Sequence, residues 1–542
     1  MKKNLSSNYP LIISGTAFAV YALGGVVTSM IATAIGLFFF AAFKDSIPNY
    51  VRSRSKVTLI CAAVSALSMV GCGIAGAFEG AEYSLVELTL EEEDKIVPIH
   101  PAIVSTAILL SLPFIFAVMT VFWDHILNTL KRLFDDFKLS DGITLGVLFV
   151  AGIAAIVYSF SKTSAFYHSI DVIYTMDCNT LIHDMTLAYD NPLIRLCHPQ
   201  NDLRQPLFAH FTLPFMAPIS LLMTPFNDDL SVYFAALQIA QLPFEILTYY
   251  ILAKLLKLKG AGRTAFMVLC ASCYSVMLFV LPVEQYNFAV FYLMLYIYSL
   301  NEDEEPKLLP FVGAAGTLLT SGAFIVFMPH KNPIKEFKEW FSECFFMGIK
   351  FFGALLLLGR SDMLELLMLA TTVYGSYAGV RVSFVTRIKQ YLVFFKDMFI
   401  SPEVKTGLFV TIENIEQYSW QLATPKAFSI AGIIVLVLCM VSFIIHRKDR
   451  LSDMSFFWIF FSFLLLLAAG WGTKENGKII YSGYFSWAVI ILLYKLAETV
   501  FKKAKLEKLL PYFMFAGAAV MFYVNFGAMH EMVEYIIENY PA

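Results

Sequence analysis

Apolar runs close to 20 residues long recur along nearly the whole of this chain, and they settle its class before anything else is read. A helix rises about 1.5 Å per residue, so roughly 20 apolar residues span the hydrocarbon core of a bilayer. Runs near that length lie at 56–78, 102–124, 142–160, 231–255, 264–283, 308–328, 342–359, 427–446, 455–471, 479–498 and 511–530. The stretch from Pro10 to Phe43 is too long for one span and carries Gly24 and Gly25 near its middle, which predicts two helices in a tight hairpin. Segments 286–300 and 363–380 are shorter. The fold class expected is therefore all-α, a polytopic membrane protein with about 13–15 transmembrane helices. With 58% hydrophobic and 15% charged residues, a soluble fold would need an implausibly large core. A net charge of −3 gives no broad basic surface for nucleic acid.

Basic residues collect on the cytoplasmic side of membrane proteins. A consistent alternation of sides places Lys2 and Lys3, Lys44 to Lys56, Lys131 to Lys138, Lys254 to Arg263, Lys307, Arg360, Arg447 to Arg450 and Lys502 to Lys508 inside, more than half of the 39 basic residues. The loops 79–95, 161–230, 282–285, 329–341, 381–426 and 472–478 then face outward. Two segments read as amphipathic helices lying at the headgroups: Leu127, Leu130, Phe134 and Phe137 beside Lys131 and Arg132, and Val385, Ile388, Leu392, Phe395 and Phe399 beside Arg387, Lys389 and Lys396. Six cysteines fall in or beside apolar spans and read as small hydrophobes, the pair Cys270 and Cys273 included. Cys178 and Cys197 share the long loop, and a disulfide between them depends on that loop facing an oxidising compartment.

The chemistry concentrates in that loop. Residues 161–215 gather Asp171, Asp177, Asp184, Asp190, Asp202, Arg195 and Arg204 with four of the nine histidines, His168, His183, His198 and His210. External loops are normally polar, which accounts for any one of these residues more easily than for the cluster. Carboxylates beside an Arg can accept a proton or hold a divalent cation while the guanidinium fork binds phosphate. Glu284, in LPVEQYNF, sits at the tip of a helical hairpin on the same face, as do Lys474 and Glu475.

A long external first loop with an early Asp and a later R-x-P-L-F (Arg204 to Phe208), then P-x-E-x-Y-N-F (Pro282 to Phe288) and G-x-L-L-T-S (Gly316 to Ser321), resembles the GT-C superfamily of membrane glycosyltransferases over roughly 142–500. No adjacent acidic pair stands in the loop, and four to five helices precede the core, two departures from that pattern. The resemblance implies N-terminal helices at 1–141, a GT-C-like core at 142–500 and a C-terminal helix at 501–542. It implies transfer of a sugar from a polyprenyl-phosphate donor to a glycan, lipid or protein acceptor outside the plasma membrane. Asp177 or Asp171 would be the base, with Arg204, His198, Asp202, Glu284, Glu475 and Lys474 around substrate and phosphate. That chemistry needs no cofactor, although Mg or Mn held by Asp177 and His183 would assist the leaving group. A polysaccharide polymerase or ligase would instead depend on Arg204 and Arg195. A transporter would need ionisable residues near the midplane, where only Glu245, Lys350 and Lys495 stand out.

Overall fold

The computed structural model describes residues 2–22, 33–35, 37, 47–78, 84–87, 95–98, 101–168, 172–174, 176, 204–226, 230–302, 307–329, 333–358, 360, 363, 382–410, 416–473 and 478–541. The helices, in chain order, are α1 (Lys2–Ala22), α2 (Lys56–Phe78), α3 (Pro101–Leu133), α4 (Leu139–Phe160), α5 (Phe208–Met223), α6 (Leu230–Leu255), α7 (Ala261–Ala271), α8 (Tyr274–Phe279) and α9 (Tyr286–Glu302). There follow α10 (Leu308–Thr317), α11 (Phe337–Leu357), α12 (Phe384–Asp397), α13 (Ile430–His446), α14 (Arg450–Ser462), α15 (Ser482–Lys503) and α16 (Leu510–Asn539). Two small antiparallel hairpins complete it, β1 (Ser84–Glu87) with β2 (Lys95–Pro98) and β3 (Val404–Val410) with β4 (Glu416–Leu422). Among the described residues seven helices are long and apolar enough to cross a membrane, which supports the all-α membrane class but is fewer than the 13–15 spans expected.

Several boundaries differ from those expected. The apolar run 264–283 is two helices, because Cys273 is extended, and 308–328 breaks at Leu318, also extended, before a 3-10 stretch. Apolar composition is the same on both sides of each break, so hydropathy could not show it. Residues 127–133 do not form a separate surface helix; they continue α3. Loop 381–426, read as an external loop with an amphipathic helix at 385–399, also contains the β3–β4 hairpin. Most of the second half of the Pro10–Phe43 hairpin, most of 363–380, and both Cys178 and Cys197 lie outside the described residues.

Contacts divide the chain into two compact units interleaved in sequence: Met1–Asp135, Ile182–Tyr233 and Asp303–Ala370, and Asp136–Leu181, Phe234–Glu302 and Thr371–Ala542. In the first, α2, α3 and α5 pack through Ala62, Ala66, Ile108 and Ala209. Pro218 has no N–H, which leaves the carbonyl four residues back without its helical partner. That carbonyl, of Pro214, accepts from Ser65 Oγ at 2.7 Å, and Ser65 in turn accepts from Trp123 Nε1 at 2.9 Å.

In the second unit α9 is buried on every face from Tyr286 to Leu300, which makes it a central helix rather than a lipid-facing one. Phe244 of α6 meets its Phe288 and Phe291 at ring separations of 4.4 and 5.1 Å. At one end of α4 and α6, buried Arg263 donates to Asp141 Oδ2 at 2.9 Å, Asp136 Oδ2 at 2.6 Å and the Leu258 carbonyl at 2.9 Å. Burial pushes the Asp136 carboxyl up, but Arg263 and Lys254 outweigh it and hold the group lowered to about 2. Asp449 pairs with Lys495, and His446 Nε2 lies 2.9 Å from Thr499 Oγ1, fixing the α13–α14 turn to α15.

Removing the Arg263 guanidinium strands Asp141, whose side chain is fully buried. Arg263→Leu is expected to lower stability by about 3–5 kcal/mol, read as the midpoint of denaturant unfolding in detergent. Adding Asp141→Asn to that variant is expected to recover part of the loss.

Candidate functional site

The amphipathic segment predicted around 385–399 is α12, and it walls a cavity with a largely charged and polar lining in the second unit. Ser383 caps it by accepting from Thr386 N at 3.2 Å. Helical spacing puts Gln390, Tyr391, Phe394, Phe395 and Asp397 on the buried face and leaves Phe384 and Val385 exposed. The helix is fastened along its length: Arg387 Nη1 donates to the Ala468 carbonyl at 2.8 Å, Lys389 Nζ to the Lys426 carbonyl at 2.7 Å, and Tyr391 OH meets Ser462 Oγ at 2.9 Å. Gly432 of α13 sits so close that an added Cβ would collide with the Leu392 carbonyl.

Beyond α12 the chain enters the break between α7 and α8. Phe399 and Met398 carbonyls accept from Tyr274 N and Ser275 N, both at 3.2 Å. Asn525 of α16 donates to the Ser272 and Phe399 carbonyls, each at 2.8 Å, and accepts from Ser401 N at 2.9 Å. Backbone groups freed by the break are thus satisfied inside the protein, the condition under which irregular backbone survives at membrane depth.

The β3–β4 hairpin joins the early part of the long loop to this region. Trp420 N donates to the Val172 carbonyl at 2.7 Å and Tyr174 N to the Trp420 carbonyl at 2.9 Å. Tyr174 takes φ 52°, the left-handed region that side chains rarely adopt. Its hydroxyl accepts from Trp420 Nε1 at 2.9 Å and meets Tyr274 OH at 2.6 Å, which holds the turn against that strain. Farther back, the Phe166 carbonyl accepts from Val283 N at 3.2 Å, one residue before Glu284.

Between α12, the end of β4, the start of α13 and Lys478 lies a cavity of about 330 Å³. Its charged lining is Lys396, Asp397, Glu403, Lys426 and Lys478. Lys396 Nζ pairs with Asp397 Oδ1 at 2.9 Å. Asp397 is only 2% exposed; burial, reinforced by Glu403 and opposed by Lys396, raises its carboxyl to about 7. Lys478 is equally buried, and its Nζ has no hydrogen-bond partner among the described residues. Burial, with Arg387 adding to it, lowers the Lys478 amine to about 7, so an anion in the cavity would favour its charged form.

The residues singled out from sequence are distributed as follows. Asp171, Asp177, His183, His198, Asp202, Lys474 and Glu475 lie outside the described residues. The flanks Val172–Tyr174 and Met176 are described, and they are what the hairpin grips. Glu284 belongs to the second unit, 2% exposed, with Oε2 accepting from Gln285 N at 3.0 Å. Arg204 belongs to the first unit and is exposed, its carbonyl accepting from Leu319 N at 2.7 Å. Leu207 N donates to the Gly316 carbonyl at 2.8 Å, so R-x-P-L-F and G-x-L-L-T-S are paired segments. A Cβ on Gly316 would stand 2.8 Å from Leu207 Cβ, which explains glycine there. Arg360, counted from sequence with the inside loop cations, is instead buried and donates to the Pro206 carbonyl at 2.7 Å. No group of three or more potential metal ligands occurs among the described residues. Asp397 and Lys478 were missed from sequence. The first ends an amphipathic helix that reads as an anchor, and the second resembles any basic residue flanking a span.

Comparison with protein-family models, with curated proteins and with solved structures returns no match.

Two outcomes are expected at this site. Because the Asp397 carboxyl is raised above its unfolded value, its contribution to stability is fully present near pH 4 and is lost as pH rises through about 7. Unfolding midpoints across that range should show a slope that Asp397→Asn flattens. Gly432→Ala should lever α13 from α12 and destabilise the protein by about 1–3 kcal/mol, as overpacking does, measured as a lower Tm in detergent.

Proposed function

We propose that this chain is a membrane glycosyltransferase that takes a sugar from a polyprenyl-phosphate donor and acts on the extracytoplasmic face. One observation carries the reading: the buried Lys478 amine, its Nζ without a hydrogen-bond partner among the described residues, in a cavity walled by an amphipathic helix, a setting suited to a lipid-borne phosphate. The apolar outer residues of α12 suit contact with the donor's lipid chain. In the reaction, the acceptor oxygen bonds to the anomeric carbon as the bond from that carbon to the phosphate oxygen breaks. A carboxylate takes the acceptor hydroxyl proton, and cationic groups offset charge developing on the departing phosphate. Asp177 or Asp171 fills the carboxylate role in this proposal, Lys478 and Lys396 the cationic one, and Glu284 positions the acceptor. Metal assistance through Asp177 and His183 belongs to the same proposal.

The test is transfer of radiolabelled sugar from polyprenyl-phosphate donors in membranes carrying the wild-type chain or single variants. Lys478→Gln and one of Asp177→Asn or Asp171→Asn should each lower transfer roughly a hundredfold, the worth of a transition-state electrostatic contact, while insertion is unchanged. Wild-type membranes without transfer, or transfer indifferent to all three substitutions, would overturn the assignment. Loss with Arg204→Gln and Arg195→Gln alone would point to the polymerase or ligase chemistry.

A further inference from the structure

A second, smaller cavity, its lining mostly apolar, lies within the second unit, apart from the α12 cavity and unused by the proposed reaction. It has a volume of about 30 Å³, enough for one or two waters or a dehydrated small ion. Glu245 of α6 lines it, 5% exposed, with Oε1 accepting from Tyr249 OH at 3.0 Å and Oε2 without a hydrogen-bond partner among the described residues. Ser275, 1% exposed, also lines it, and its Oγ likewise has no hydrogen-bond partner among the described residues. Ser275 is the second residue of α8, in the first turn after the helix break at Cys273. The titratable groups on the lining besides Glu245 are Tyr249 and, from α9, Tyr286; no Lys, Arg, His or Asp is among them.

A carboxyl deep in an apolar helix bundle with no basic neighbour has two low-energy conditions, protonated or paired with a cation. The unpartnered oxygens of Glu245 and Ser275 are cation ligands by type, hard and oxygen-borne, and broken helices beside a buried acid are where membrane proteins place small-ion sites. Two buried glutamines stand on α6 in the turns before Glu245. Gln241 and Gln238 precede Glu245 by four and seven residues on one helical face, Gln241 Nε2 donating to Gln238 Oε1 at 3.1 Å and Gln238 Nε2 to the Val280 carbonyl at 2.8 Å. Val280 leads directly into the Leu281–Gln285 hairpin tip.

We propose that this cavity is a monovalent cation site in which Glu245 exchanges its proton for a sodium ion. The exchange is a competition: one proton leaves the carboxyl for each ion bound, so sodium binds more tightly as pH rises.

Dicyclohexylcarbodiimide tests this on the purified full chain, because it adds covalently to protonated buried carboxyls. Mass spectrometry should find Glu245 labelled in choline chloride and progressively protected as sodium chloride replaces it at constant ionic strength, with stronger protection at higher pH. Ser275→Ala should keep the label but raise the sodium needed for half-protection roughly tenfold, as loss of one supporting ligand does. Glu245→Gln should remove the label and any sodium-dependent rise in Tm. Labelling at equal rates in sodium and choline would overturn the proposal and leave Glu245 a permanently protonated structural acid, as would a Ser275→Ala variant with unchanged protection. Sugar transfer is not the readout, so the proposal stands or falls independently of the glycosyltransferase reading.

Discussion

Asn525 holds the second unit together at the place where helical hydrogen bonding stops. Its amide ties the end of α7, the exit of α12 and the middle of α16 through three backbone contacts. Away from water every unpaired carbonyl or amide is expensive, so a break like that at Cys273 survives only where another side chain completes the pairing. Arg360 serves the first unit similarly, taking up the Pro206 carbonyl beside the break at Leu318. The first of these joints holds α12 at its exit and fixes the end of α7 just before Ser275, which lines the same cavity as Glu245.

Features with a period were legible in the sequence. The apolar runs forecast α2, α4, α6, α11, α13, α15 and α16, and the spacing of Ile388, Leu392 and Phe395 forecast α12. The breaks at Cys273 and Leu318 were not legible, since they depend on partners far along the chain, Phe399 and Asn525 in one case and Arg204 and Leu207 in the other. The continuity of α3 through Leu133 was hidden because a change from apolar to amphipathic pattern looks like an element boundary when it is only a helix leaving its neighbours. Half of the candidate site follows the same division. Glu284 was found by its oddity in an apolar hairpin, whereas Asp397 and Lys478 look ordinary until burial is known.

Burial of charge separates two kinds of residue here. Arg263 and Asp141 are as deeply buried as any charged groups in the unit, yet they pair with each other and the guanidinium has an acceptor for each of its nitrogens, leaving only Asp141 Oδ1 without a hydrogen-bond partner among the described residues. Lys478 and Glu245 are buried against cavities, with Nζ and Oε2 lacking a hydrogen-bond partner among the described residues. The contrast is between a charge that has been neutralised by the fold and one that the fold exposes only to an interior space, and it directs attention to the latter pair.

The wide turn at Phe463–Ala468 is a π-helix, closed by Ala469 N on the Leu464 carbonyl five residues back. Such a turn holds one residue more than an α-turn, and its Leu467 and Ala468 carbonyls are the ones that Arg387 grips. The extra residue therefore works as a register spacer. A one-residue deletion there would restore ordinary helix, rotate everything beyond it by about 100° and turn those carbonyls away from α12. Insertions and deletions of single residues, usually excluded from a packed helix, thus have one place in this chain where they would act as an adjustment of how α12 is moored.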